Sequence, residues 1–200
     1  NRDIISGFTN TLMYTTLGTA INLVMTILAA YPLSRRDFVG RNGIMALLVF
    51  TMFFSGGLIP TYLLIKNLGM LNTLWVMIIP NAVSIWNIII MRTFFQQSIP
   101  HELQEAATID GCSNIQILTR IMLPLSMPII AVTILFYAVG HWNAFFNALL
   151  YLTDKDKFPL QLVLQPALLR VVPLALQVPS GLVGYVRGSG DSVGEDLALW

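Results

Sequence analysis

Four long stretches without a charged side chain dominate this 200-residue sequence and restrict the folds open to it. They are Ile4 to Ser34, Asn42 to Ile65, Asn67 to Met91 and Ile121 to Thr153. Each exceeds the roughly 20 residues that an α-helix needs to cross the hydrocarbon core of a bilayer. A composition with 56% hydrophobic and only 10% charged residues is also too apolar for a water-soluble domain. The sequence therefore predicts an all-α integral membrane protein.

The uncharged stretches predict a polytopic bundle of four transmembrane helices with one polar loop. We place the spans at about residues 8–30, 43–65, 71–91 and 128–150, and the loop at 96–127. No signal peptide is visible and the first residue is not Met. We therefore expect the chain to begin inside a longer one that carries further helices upstream.

Arginines predict the orientation of these spans. Arg35, Arg36 and Arg41 follow the first span closely, after Pro32, which we expect to end that helix. Lys and Arg are enriched in the cytoplasmic loops of membrane proteins. The second span then runs outward and the third returns, which places loop 96–127 on the cytoplasmic side.

The charged and reactive residues exclude several classes of function. A net charge of +1 without clustered Lys and Arg argues against nucleic-acid binding. Cys112 is the one cysteine, so it forms no internal disulfide, and with the widely separated His101 and His141 it offers no metal-ligand spacing. The sequence contains no Ser/His/Asp set and no Gly-rich phosphate loop. We expect neither enzymatic activity nor a bound cofactor in this chain.

Helix-breaking and polar residues interrupt the predicted spans. Prolines and glycines lie at Ser55 to Pro60 and at Ile79 to Ser84, where neighbouring helices must cover the freed backbone groups. Such breaks are typical both of kinked helix contacts and of bends that line a solute pathway. Four further side chains are suited either to bind a sugar in a pathway or to form a hydrogen-bonded bridge to a neighbouring helix. They are Asn87, His141, Trp142 and Asn143.

Loop 96–127 has the pattern of a helix, a turn and a second helix. Ser98 and Pro100 are suited to start a helix that runs to about Ile109. Gly111 stands where that helix would close with a left-handed residue. Ser113 is suited to cap a second helix, which we expect Pro124 to stop.

One face of the first loop helix is narrow, with small residues and an acid at its end. Leu103, Ala106, Ala107 and Asp110 fall at positions i, i+3, i+4 and i+7. Such a face lets another backbone come close, so we expect a partner protein to cover it and to hold Glu105. The alternative is an amphipathic helix on the lipid headgroups, although interfacial helices favour Lys, Arg and large apolar residues.

The same residues carry a family signature. The pattern EAA, three residues, Gly, nine residues and I-x-L-P resembles the cytoplasmic loop of permease subunits of binding-protein-dependent ABC importers. The matching residues are Glu105, Ala106, Ala107, Gly111, Ile121, Leu123 and Pro124. The flanking segments AAYPLSRRDF, GGLIPTYLLIKNLGMLNTLW and WNAFFNALLY look like the maltose-permease-type branch, which imports oligosaccharides. The similarity extends from about Thr9 to Gln165.

The resemblance implies a mechanical role for the loop in the bacterial plasma (inner) membrane. In such importers of the type I fold, the first loop helix docks into a cleft of a cytoplasmic ATPase and couples ATP hydrolysis to transport. By position, Glu105 to Ala107 and Asp110 would contact the ATPase, Gly111 would form the turn, and Ile121 to Pro124 would anchor the loop to the fourth span. The implied partners are ABC ATPase subunits that use the ATP, a second permease subunit, an extracytoplasmic solute-binding protein and a sugar or oligosaccharide. The alternative is a non-transporting scaffold or regulator whose loop helix binds another soluble protein.

Residues 166–200 depart from this resemblance. The family expects a further span, but between Arg170 and Arg187 only a short uncharged stretch remains, and Pro173 and Pro179 interrupt it. The alternatives are a frameshift product, a cloning junction or a genuine divergence; we favour the first two and expect these residues to be poorly ordered. The permease fold would then be incomplete at both ends.

Overall fold

The computed structural model describes residues 2–54 and 56–164, and every regular element in them is a helix. This confirms the predicted all-α class. One helix, from Asp3 to Ser34, is by itself long and apolar enough to cross a membrane. Three further pairs of helices pass the same test when each bent pair is taken as one span. The predictions for residues 166–200 lie outside the described residues.

The first span is a single helix, α1, which runs from Arg2 to Ser34. The prediction that Pro32 ends it is wrong, because Pro32 lies inside the last turn. A proline there removes a single backbone hydrogen bond, and other groups hold the helix end. Arg92 Nε donates to the Leu33 carbonyl at 2.8 Å, and Gln96 Nε2 donates to the Ser34 carbonyl at 3.3 Å.

The other predicted spans are not continuous. Residues 43–65 contain two helices, α2 (Arg41–Phe53) and α3 (Leu58–Asn67), with Gly57 at a left-handed φ of 85° between them. Residues 71–91 contain α4 (Trp75–Ile78), a 3-10 turn (Ile79–Asn81) and α5 (Ile85–Gln97). The segments Trp75–Asn81 and Ile85–Gln97 are bent by 53°.

The predicted fourth span, 128–150, is also broken. Helix α9 (Met127–Trp142) ends at Asn143, and α10 (Phe145–Tyr151) follows. Asn143 is the C-cap of α9, and both its backbone N–H and its side-chain amide donate to the Val139 carbonyl, at 3.1 and 3.0 Å. Polar side chains that bond to nearby backbone compete with the regular helical pattern.

One hydrophobic cluster lies at the C-terminal end of α1, and a second lies in its N-terminal half. The first cluster surrounds Ala30, Tyr31 and Leu33 and joins them to α5 and to loop 96–127. The second cluster surrounds Tyr14 and joins it to α3, α4 and α10. Helix α1 also packs along α9 and α5. This helix therefore connects the polar loop to the far end of the bundle.

Candidate functional site

The first loop helix, α6, runs from His101 to Ile109 and closes with the turn that the sequence predicts. Gly111 has a left-handed φ of 79°. Its N–H donates to the Thr108 carbonyl at 3.1 Å, and the Cys112 N–H donates to the Ala107 carbonyl at 2.9 Å. These two bonds form a Schellman motif, which favours glycine because a side chain is strained at this φ.

The start of α6 differs from the prediction at one residue. The predicted helix starts at about Pro100, and Pro100 is in fact the N-cap, one residue before α6 begins; Ser98 is the C-cap of α5 and does not cap α6. The Ser98 N–H donates to the Phe94 carbonyl at 2.9 Å, so its backbone closes the preceding helix. The proline therefore starts α6 without a side-chain cap.

The second loop helix begins as predicted and continues further than predicted. Ser113 and Gln116 form a capping box at the start of α7 (Asn114–Ile117). A π-helical turn (Leu118–Met122) and α8 (Leu123–Leu125) follow. The prediction that Pro124 stops the helix is wrong, because it lies in the first turn of α8, where the missing N–H is tolerated. The break falls at Ser126, with a bend of 83° before α9.

Three of the four residues on the predicted face of α6 are exposed. Leu103, Ala106 and Asp110 are exposed. Ala107 is only 6% exposed and belongs to the first hydrophobic cluster, so its assignment to the open face is wrong. Gln104 is buried beside it, and its amide lies 3.7 Å from Met122 Sδ. The helix is rotated so that this side packs on its own chain.

The exposed surface of the loop is more apolar than the sequence reading indicated. Ile109 is 85% exposed and Ile115 is 74% exposed. Neither residue belongs to the signature, but large apolar residues on both sides of Gly111 in an otherwise polar loop are a sequence signal that could have identified them. Glu105 is also exposed, with its carboxylate 2.9 Å from His101 Nδ1. Exposed apolar side chains with acids around them are typical of a protein-binding surface.

Arg35 ties the loop to the end of α1. Its guanidinium donates to both carboxylate oxygens of Asp37, at 2.8 and 2.9 Å, and to Asn114 Oδ1 at 2.9 Å. A further bond of 3.0 Å reaches the Tyr31 hydroxyl. Arg35 holds the pKa of the Asp37 carboxyl below its usual value. The hydrogen bond to Asp37 in turn raises the pKa of Arg35. Sequence reasoning identified Arg35 only as an orientation signal.

The end of the signature lies against the first hydrophobic cluster. Ile121 and Leu123 are partly buried against it, whereas Pro124 is exposed. Met122, between them, is fully buried. The three predicted anchor residues therefore surround a buried methionine that the signature does not include.

A cavity of about 520 Å³ lies between the break in the third span and α9. Asn87 and His141, two of the four predicted pathway residues, both line it. Trp142 and Asn143 line a different cavity of about 270 Å³. Trp142 also packs edge-on against Phe8, with ring centroids 6.3 Å apart. The structure thus brings together only two of the four.

Sequence reasoning missed the residues that hold this region together. Asn22 and Thr26 of α1 are 2% and 0% exposed, and both bond to groups beside the cavity. They lie four residues apart on the buried face of α1, where Thr11, Gly18 and Thr19 also lie. Small and polar residues at helical spacing are typical of contacts between membrane helices, and this spacing could have identified them.

With this geometry established, comparison with known proteins identifies the family. Residues 4–183 match the family model described as binding-protein-dependent transport system inner membrane component. The chain belongs to this family. Membership confirms the predicted inner-membrane location and makes the chain a permease component, not an enzyme. The matched region also extends beyond Gln165, where the resemblance predicted from the sequence motifs ends.

Three curated relatives illustrate the similarity of this permease to known ones. It is 55% identical over 151 residues to Protein LplC of Bacillus subtilis, covering 76% of this chain and 51% of LplC. Identity is 48% over 176 residues to the polygalacturonan/rhamnogalacturonan transport system permease protein YtcP of the same species, covering 88% and 58%. It is 36% over 184 residues to the trehalose/maltose transport system permease protein MalG of Thermococcus litoralis, covering 88% and 60%. The permease chain thus spans little more than half the length of these relatives.

A solved structure supports the fold assignment. The structure of a bacterial ABC transporter involved in the import of the acidic polysaccharide alginate matches with a TM-score of 0.81 and 32% sequence identity. The match covers 94% of this permease chain and 65% of the chain in that structure.

Proposed function

We propose that this permease chain forms part of a carbohydrate ABC importer and that α6 transmits the action of a separate ATPase to the membrane helices. The observation that carries the proposal is an exposed loop helix with the family signature whose inner side packs on the membrane helices. Two of the named relatives are described as permeases of transport systems, one for polygalacturonan/rhamnogalacturonan and one for trehalose/maltose, which supports a sugar or oligosaccharide as the substrate.

The outer side of α6 would bind the ATPase. Glu105, Ala106 and Asp110 are exposed, together with the apolar Leu103 and Ile109. A groove that accepts these residues would place a basic group near the acids and apolar side chains against the isoleucine and leucine. The acids also disfavour a resting place on anionic lipid headgroups, which attract basic segments.

The inner side of α6 would transmit a displacement of this helix to the membrane helices. Ala107 and Gln104 pack on the chain's own cluster, and Ile121, Leu123 and Pro124 join the loop to α9. Tightly packed side chains move together, because an interior at native density has little room for independent shifts. A displacement of α6 would therefore reach α1, α5 and α9. Arg35 adds a polar connection from the loop to α1.

We propose that the cavity beside the third span is the section of the sugar pathway that this chain contributes. Asn87 and Asn147 line it, and among the described residues neither side-chain amide has a hydrogen-bond partner. Amides can donate to and accept from sugar hydroxyls. His141 also lines this cavity, whereas Trp142 and Asn143 do not, so the pathway proposal excludes the latter two.

The importer would need further subunits. Two ATPase subunits would use the ATP, a second permease would complete the pathway, and an extracytoplasmic binding protein would deliver the sugar. The family description, binding-protein-dependent transport, supports this set of partners. No catalytic residue in this chain takes part in ATP hydrolysis under this proposal.

The test is purification of the tagged full-length protein from its native host in mild detergent, with mass spectrometry of what stays bound. We expect an ATPase to be retained by the wild type and lost from Gly111→Val, because valine at a left-handed φ distorts the turn after α6. Gly69→Val is the matched control, since Gly69 also has a left-handed φ, of 65°, and no atom within contact of an added Cβ, but lies outside the loop.

Equal retention of the ATPase by wild type and Gly111→Val would contradict the coupling role. Retention of a different soluble protein in place of an ATPase would instead favour a scaffold or regulator.

A further inference from the structure

The break in the third span leaves backbone groups that need partners. Between the segments Trp75–Asn81 and Ile85–Gln97 the chain is bent by 53°, and Ser84 has an extended conformation with φ −106° and ψ 117°. Inside a membrane, backbone groups without a helical partner are tolerated only where other protein groups satisfy them. The partners of this break come from two other helices.

One chain of hydrogen bonds runs from the break to α1 through α9. The Ser84 N–H donates to the Tyr137 hydroxyl at 3.3 Å. The Tyr137 and Thr26 hydroxyl oxygens are 2.7 Å apart, and the Thr26 hydroxyl donates to the Asn22 carbonyl at 2.7 Å. Since the proton of Thr26 is used in that last bond, Tyr137 must be the donor to Thr26. Every hydroxyl in the chain therefore both donates and accepts.

A second connection joins the same helices through Asn22. Its amide nitrogen lies 3.2 Å from the Asn81 carbonyl oxygen and 3.1 Å from His141 Nε2. A carbonyl only accepts, so the NH₂ group must face Asn81, and His141 Nε2 then accepts the second N–H. The histidine ring fits because residue 18 is glycine, where a Cβ would lie 2.5 Å from Nε2.

We name Asn22, Thr26, Tyr137 and His141 the polar clamp. Tyr137 and His141 also line the cavity of about 520 Å³. Asn81 and Ser84, which lie at the break itself, line it as well. The same contacts that satisfy the break thus form a wall of the cavity. We propose that the polar clamp is a positioning device, which holds the break of the third span in the geometry that shapes the solute cavity.

This inference rests on the proposed function for the role of the cavity in transport. It assigns different tasks to residues that sequence reasoning grouped together. The His141 Nε2 atom is occupied by Asn22, so His141 positions the wall. The amides of Asn87 and Asn147 have no hydrogen-bond partner among residues 2–54 and 56–164 and remain for the solute.

The test measures access to the cavity in the assembled full-length transporter. Asn147→Cys provides the reporter, with Cys112 and every other cysteine replaced by serine, and N-ethylmaleimide is the probe. We expect Thr26→Val to speed labelling of residue 147 about fivefold, which corresponds to about 1 kcal/mol for the loss of the hydrogen bond that Tyr137 donates to Thr26, the one that links α1 to the break. Thr26→Ser keeps the hydroxyl and should label at the wild-type rate, an outcome that separates positioning from packing.

Two further variants perturb the clamp at other points. Tyr137→Phe removes the hydroxyl that accepts from Ser84, and Gly18→Ala displaces the His141 ring. Both should speed labelling. The matched controls should not: Thr16→Val removes an exposed hydroxyl from the same helix, and Gly43→Ala adds a methyl group where nothing lies within 4 Å.

Unchanged labelling in all the clamp variants would overturn the inference, and so would equal acceleration in the controls. ATPase retention distinguishes this result from failure of the proposed function. Clamp variants should keep the ATPase while labelling changes, and Gly111→Val should lose the ATPase. Retention of the ATPase by Gly111→Val would contradict the coupling role of the loop. The labelling rates of the clamp variants test the positioning role of the polar clamp independently of that result.

Discussion

The loop around α6 and the polar clamp are both polar regions in an apolar chain, but they are built in opposite ways. The loop closes through bonds between residues three to five apart, such as those of Gly111 and Cys112. The clamp joins residues as far apart as Asn22 and His141, from helices that meet only in the folded bundle. A local motif forms where its sequence occurs, whereas a distributed one depends on the packing of whole helices.

This difference predicts where substitutions destabilise the chain and where they affect only binding. Ile117→Ala should cause the largest loss, about 2–5 kcal/mol in the free energy of unfolding, because Ile117 is 1% exposed in the first hydrophobic cluster. Ile115→Ala, two residues away, removes a side chain that is 74% exposed and should change stability by less than about 0.5 kcal/mol. Denaturant unfolding in detergent measures both.

Ile115→Ala and Ile117→Ala also test whether the loop has an exposed side that binds a partner and a buried side that packs on the chain. If the exposed side binds a partner, Ile115→Ala should weaken ATPase retention although the protein stays as stable as the wild type. Equal destabilisation by both substitutions would show that the loop has no distinct outer side.

The second prediction concerns the distributed region. Asn22→Leu leaves the Asn81 carbonyl and His141 without their partner, and we expect a loss of about 1–3 kcal/mol in the free energy of unfolding. Asn143→Leu is the control, because within the described part of the chain the exposed Asn143 amide bonds only to the Val139 carbonyl in its own helix. A smaller loss for Asn22→Leu than for Asn143→Leu would mean that the clamp contributes no net stability.

The locally specified parts of the structure were predictable from sequence. The uncharged stretches predicted a helical membrane protein, and the residue preferences of helix ends predicted the turn at Gly111 and the cap at Ser113. These features depend on neighbours along the chain, so a short window contains their cause.

The errors have a common physical origin in tertiary packing. Ala107 fits the small-residue face by spacing, but which side of α6 faces the chain depends on where the first hydrophobic cluster lies. Residues 128–150 look like one span by hydropathy, but the Asn143 side chain bonds to Val139 where the helix ends. The clamp was missed because Asn22, Thr26 and Tyr137 are common residues for a membrane helix, and their hydrogen bonds form only where α1, α9 and the break of the third span meet.

A third prediction tests how much the local motif contributes. Ser113→Ala removes the side chain that accepts from the Gln116 N–H, and we expect a loss of about 1 kcal/mol in the free energy of unfolding. Ser98→Ala removes a hydroxyl that caps no helix start, so it should change stability by less than about 0.5 kcal/mol. Equal losses for the two serines would contradict the capping role of Ser113.

The smallest expected effect lies where local and distant contacts meet, at Arg35. Arg35 bonds to Asp37 two residues away and to Asn114 in the loop. Because Arg35 lowers the pKa of Asp37 in the folded state, the pair contributes stability that is fully present above the ordinary carboxyl pKa and is lost as pH falls through the lowered value. The Asp37 side chain is 65% exposed, so solvent keeps this contribution small.

Thermal unfolding of wild type and Asp37→Asn, followed from about pH 7 to about pH 3, measures this contribution. We expect the wild type to be slightly more stable at neutral pH and the two melting temperatures to converge at the acid end. Asp3→Asn is the control, because Asp3 is exposed and forms none of the salt bridges of the described residues. A difference that persists unchanged at low pH would show that Asp37 acts through packing and not through its charge. In that case the distant bond to Asn114 would hold Arg35 in place without the local one.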